Sequence, residues 1–80
     1  MADISPVRDF IRREFLYDRS APLAEDTVLF PDLVDSLGIM TVVEFIEEKY
    51  GITIDDDELE AERFETLNSI NAFIDEKIAG

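Results

Sequence analysis

Asp35-Ser36-Leu37-Gly38-Ile39-Met40-Thr41-Val42-Val43-Glu44-Phe45-Ile46-Glu47-Glu48-Lys49-Tyr50-Gly51 is the stretch from which the fold is read. At about 100° per residue, Ile39, Val42, Val43, Ile46 and Tyr50 share one sector of a helical wheel, the expected core stripe. Leu37, Met40, Thr41, Glu44 and Glu48 fall on the opposite side, apolar near Ser36 and acidic farther along. Asp35 suits the capping position and Gly51 the C-terminal glycine, so a helix is expected over about 36–50. A purely structural surface helix has little reason to show Leu and Met to water, so this second face reads as a contact face.

Upstream, Ser5-Pro6 reads as an N-cap followed by proline in the first turn, and Val7, Phe10, Ile11 and Phe15 recur at helical spacing. A first helix is expected over about 6–17. From 18 to 35 the period is lost, with Pro22 and Pro31, although Leu23, Val28, Leu29, Phe30 and Leu33 are apolar enough to pack down. Structureless connections beyond about 12–15 residues are uncommon in compact domains and are usually functional. Downstream, the acids Asp55-Asp56-Asp57-Glu58 suit the cap and first turn of a short helix over about 56–62. Phe64 is expected to plug the core. Thr66 is the expected cap of a last helix over about 67–78, with Leu67, Ile70, Phe73, Ile74 and Ile78 as its stripe. The pattern predicts one domain spanning 1–80, an all-α, small four-helix bundle of three longer helices and a short third one, with a long loop between helices 1 and 2.

Composition narrows the chemistry. The chain has 80 residues, no Cys and no His, which removes a disulfide framework, a thiolate metal site, a cysteine nucleophile and the usual general base at neutral pH. Its net charge is −13, and residues 20–80 set sixteen acids against only Lys49, Arg63 and Lys77. Such a field repels nucleic acid and anionic lipid and favours partners with basic surfaces. No apolar run approaches membrane-spanning length, and Met1-Ala2-Asp3-Ile4 lacks the features of a secretory signal, so a cytoplasmic monomer is expected. The acidic run at 55–58 lacks the alternating acids and central glycine of a calcium loop, so no metal site is expected. With no His, and with Lys49 nearly four helical turns away, nothing in the chain activates Ser36, which reads as a substrate rather than a catalyst.

Taken together these segments resemble the acyl and peptidyl carrier proteins over nearly the whole length. Asp35-Ser36-Leu37-Gly38-Ile39-Met40 looks like their phosphopantetheine attachment motif, Glu44 through Ile52 looks like the rest of their second helix, and Phe64-Glu65-Thr66-Leu67 resembles the start of their last helix. The resemblance implies that Ser36 receives 4′-phosphopantetheine from coenzyme A through a phosphopantetheinyl transferase. Asp35 and Leu37 flank the attachment point, and the matching acid in the family helps the transferase recognise it. Cargo would ride as a thioester on the arm's thiol, loaded by an acyl- or aminoacyl-ligase and passed to synthase or transferase enzymes. Leu37, Met40, Thr41, Glu44, Glu47 and Glu48 are the positions expected to meet basic grooves on those partners. A phosphodiester on Ser36 would lie beside the open amides and positive dipole end of the helix, a favourable place for an anion.

The chain departs from the family at two places. Asp32, preceded by Pro31, stands where a glycine is common three residues before the motif's Asp, and Gly38-Ile39-Met40 replaces the acidic continuation of primary fatty-acid carriers. Six Phe and two Tyr could also fill the space between helices, which suggests short, polar or aminoacyl cargo held outside the bundle. The alternative from another class is a small acidic adaptor that binds a protein through the Leu37–Met40–Glu44 face without modification.

Overall fold

The computed structural model describes residues 3–16, 23–30 and 32–79. Its elements in chain order are α1 (Ser5–Phe15), α2 (Ser36–Tyr50), two short 3₁₀ turns (Asp56–Glu58 and Ala61–Phe64) and α3 (Leu67–Ala79). There is no strand among the described residues.

Val7, Phe10 and Ile11 bury the inner face of α1, with Pro6 in its first turn. The start differs from expectation. Ile4, not Ser5, occupies the capping position, and the Ser5 amide donates to Asp3 Oδ1 at 3.0 Å. Asp3 supplies the acceptor from outside the helix, and that hydrogen bond holds its carboxyl below the usual range. The helix stops earlier than 17, because Leu16 is extended (φ −98°, ψ 133°). Tyr17 lies outside the described residues, as do Pro22 and Pro31.

The loop that follows is pinned by its backbone. The Leu29 amide donates to Glu65 O at 2.6 Å and the Asn68 amide to Glu25 O at 3.0 Å, so the loop is fastened to the start of α3. Leu23 and Leu29 are buried as expected, together with Val34, whereas Val28 and Leu33 are exposed at 40% and 37%. The Leu33 and Val34 amides both return to Leu29 O, at 2.7 and 2.8 Å. This tight turn buries Val34 and leaves its neighbour Leu33 outside.

In α2, Val42, Val43 and Ile46 are buried, with Ile39 and Tyr50 packed at the edge of the core. The helix ends at Gly51, whose φ of 66° is the left-handed conformation open to glycine. The amides of Gly51 and Ile52 both return to Glu47 O.

The expected short third helix is instead two 3₁₀ turns with Leu59 and Glu60 between them. The Glu58 side chain accepts the Asp55 amide at 3.0 Å and the Lys77 ammonium at 2.8 Å, which closes the first turn after three residues and ties it to α3. Phe64 is buried, edge-on to Phe73 at 5.7 Å.

Thr66 caps α3 as expected, in a reciprocal arrangement: the Ser69 amide donates to Thr66 Oγ1 at 3.1 Å and the Thr66 amide to Ser69 Oγ at 3.0 Å. Leu67, Ile70, Phe73 and Ile74 are buried, but Ile78 is 55% exposed, because the stripe continues into the last turn past the end of the core.

Candidate attachment site on the second helix

Asp35 is extended (φ −84°, ψ −176°), and its Oδ1 accepts the Gly38 amide at 2.7 Å. The Ile39 amide returns to Asp35 O at 2.9 Å. Both bonds come from the third helical residue or beyond, which leaves Ser36 and Leu37 with their N–H groups at the open end of the helix. Ser36 is exposed there. The donor set suits a phosphodiester: an accessible hydroxyl, open amides and the positive end of a 15-residue helix. A bound phosphopantetheine arm would supply the thiol that the chain lacks, and Ser36 would hold it.

Close packing fixes this turn from beneath. A Cβ on Gly38 would stand 2.8 Å from Phe15 Cε1, 3.0 Å from Val34 Cγ1 and 3.2 Å from Asp35 Oδ1. Gly38 therefore allows close approach of the end of α1 and of Val34.

Outward from Ser36, Leu37 is 83% and Met40 44% exposed, and Thr41, Glu44 and Glu48 are exposed with them. Val28 and Leu33 of the loop are also exposed. Glu47 differs from the other two glutamates: it is half-buried and accepts the Ile54 amide at 2.9 Å.

An apolar cleft of about 180 Å³ opens between α2, the loop and the 3₁₀ turns, lined by Phe30, Ile39, Leu59, Glu60, Ala61 and Phe64. Only Phe30, Ile39 and Phe64 of these carried a sequence signal, as apolar residues in their segments. Leu59 and Ala61 were not foreseen, because their placement depends on the break between the two turns. Larger grooves, of about 400 and 380 Å³, border Phe45 and Lys49. On the α2 wheel those two residues flank the Leu37, Met40 and Glu44 face, about 80° and 120° round from Leu37.

Among the described residues no group of acids is placed to hold a metal ion, and no described helix is long and apolar enough to cross a membrane.

The comparisons with known proteins agree with this geometry. The family described as the phosphopantetheine attachment site matches residues 7–75. The anthracycline acyl carrier protein DpsG of Streptomyces peucetius is 35% identical over 82 residues, covering 98% of this chain and 95% of the relative. The anthracycline acyl carrier protein DauA of Streptomyces sp. (strain C5) is 35% identical over the same extent. No solved structure matches the chain. The chain belongs to the phosphopantetheine attachment-site family: it is an all-helical acyl carrier protein that bears a 4′-phosphopantetheine arm, works with synthase and transferase enzymes, and is a carrier rather than an enzyme.

Proposed function

We propose that Ser36 carries the arm, and that the protein presents acyl groups of polyketide type as thioesters to enzymes that dock on the outer face of α2. The observation that carries this reading is the capped turn: Asp35 holds the Gly38 amide at 2.7 Å and leaves the exposed Ser36 at the helix N-terminus. An anion bonded there meets open amides and a favourable dipole.

The names of the relatives, both anthracycline acyl carriers, support a polyketide cargo over the aminoacyl cargo suggested by composition. Leu37 and Met40 form the apolar part of the docking face, and Glu44 and Glu48 its charged part. With a net charge of −13, the chain is complementary to basic grooves, which steer encounter and set register. Transfer of the arm from coenzyme A, and the enzymes of such a pathway, support a cytoplasmic location. The acidic field makes self-association unfavourable, which supports a monomer.

The test is acyl loading. After the arm is installed, incubation with an acyl donor and a loading enzyme should give an acyl-protein whose cargo is released by hydroxylamine, as a thioester is. Ser36→Ala should take up no arm and no acyl group. Release-resistant cargo, or loading of Ser36→Ala, would contradict the reading.

A further inference from the structure

Phe15 ends α1 and packs at the edge of the core. Its ring sits where Gly38 would carry a side chain: Cε1 lies 2.8 Å from that Cβ position, inside the roughly 3.5–4.0 Å of carbon contact. The Asp35 carboxylate, which takes the Gly38 amide, lies 3.2 Å from the same point. One small space is therefore shared by the aromatic ring and the cap. Phe15 is itself held from behind: Phe10 meets it edge-on with centroids 6.4 Å apart, and Phe45 of α2 stacks on Phe10 at 4.3 Å. A run of three rings thus joins the middle of α2 to the turn that presents Ser36.

We propose that Phe15 is a positioning residue for the modification of Ser36, its ring filling the place of a side chain on Gly38 and keeping the Asp35 carboxylate on the Gly38 amide. This rests on Ser36 being the modified residue. A ring packed against the Gly38 backbone beside the Asp35 carboxylate fixes the turn from Asp35 to Gly38, on which the Ser36 hydroxyl is mounted. The docking face is separate: Leu37 and Met40 point away into solvent. Loss of Phe15 should consequently act on the chemical step more than on partner binding.

Phe15→Ala, Phe15→Leu, Gly38→Ala and the double variant Phe15→Ala/Gly38→Ala are made in the full chain and checked for helix content. Transfer of phosphopantetheine from coenzyme A by a broad-specificity transferase is then followed by mass, together with hydrogen exchange of the residue 38 amide. Phe15→Ala should lower kcat about ten- to a hundred-fold with KM little changed, and its amide 38 should exchange faster. Phe15→Leu should recover part of the rate, and it serves as the test if the alanine variant does not fold. Gly38→Ala should slow transfer by displacing the ring, and the double variant should lose less than the two single losses combined. Modification of folded Phe15→Ala at the wild-type kcat, or a loss that only follows its unfolded fraction, overturns the positioning role. A folded wild type that takes up no phosphopantetheine overturns the reading of Ser36 on which the role rests, and exchange at amide 38 still reports whether the ring protects the turn.

Discussion

The Glu47 carboxylate accepts the Ile54 amide at 2.9 Å, across the left-handed turn at Gly51. That bond separates Glu47 from Glu44 and Glu48, which the helical wheel alone groups with it as acids of one helix. Ile54 is buried, and the bond fastens its segment to the end of α2. Glu47→Ala should cost about 1.5–3 kcal/mol, the range for a hydrogen bond to a charged group. Glu44→Ala and Glu48→Ala should stay within about 0.5 kcal/mol of wild type. Urea unfolding of the three variants checks this, and equal costs at all three positions would contradict it.

The contact face should show the reverse pattern. Leu37 is 83% exposed, so Leu37→Ala removes little buried area and should leave the unfolding midpoint nearly unchanged. Ile46→Ala, fully buried in the same helix, should cost about 2–5 kcal/mol. In transferase assays Leu37→Ala should raise KM, as should reversal of charge at Glu44. A Leu37→Ala protein with wild-type KM would remove Leu37 from the docking face.

Loss of Asp35 should both destabilise the turn and slow transfer of the arm to Ser36. Asp35→Ala loses the bond to the Gly38 amide and should destabilise by about 1 kcal/mol, with Asp35→Asn recovering part of it. Thermal melts with parallel transfer assays would show both effects, and an unchanged melt in Asp35→Ala would argue that the cap contributes nothing.

The Glu58–Lys77 pair gives the fold a pH signature. The Lys77 hydrogen bond, aided by the Asp55 amide, lowers the Glu58 pKa, and the bond to Glu58 raises that of Lys77. A lowered acid contributes stability that is present above its unfolded pKa and lost as pH falls through the folded one. A raised base contributes stability that is present below its unfolded pKa and lost as pH rises through the folded one. The pair should therefore stabilise fully across the neutral range and fade in acid below the ordinary glutamate range and in alkali above the ordinary lysine range. Lys77→Met should flatten both flanks of a plot of melting temperature against pH. Unchanged flanks would show that the pair contributes nothing to folding.

Cargo that enters the apolar cleft must fit about 180 Å³. A short acyl chain should shift the amides of Ile39, Leu59 and Phe64, while a long chain should leave much of its length outside. Shifts confined to the Ser36 turn for every chain length would mean that the cleft stays closed to cargo.

Local rules made much of this legible. Ser36–Tyr50 was readable because its cap, stripe and glycine stop all lie within the segment, and Thr66 was readable as a cap because its partner Ser69 is three residues away. What was not legible depends on partners distant in sequence or on the exact end of packing. Ser5 resembles a cap in sequence, but its amide is taken by Asp3 two residues earlier, and Ile78 continues a stripe that outruns the core. The short third helix is two 3₁₀ turns, and the contact that ties the first of them to α3, Glu58 to Lys77, joins residues nineteen apart. At the site, the exposure of Leu37 and Met40 follows from the wheel, whereas Phe15 against Gly38 is a contact between two helices that no spacing announces.

The most direct test is the intact mass of wild type and Ser36→Ala after incubation with coenzyme A and a broad-specificity phosphopantetheinyl transferase. One phosphopantetheine on wild type and none on Ser36→Ala is the expected result. Addition to Ser36→Ala, or none to a folded wild type that the enzyme binds, would contradict the assignment of Ser36 as the point of attachment.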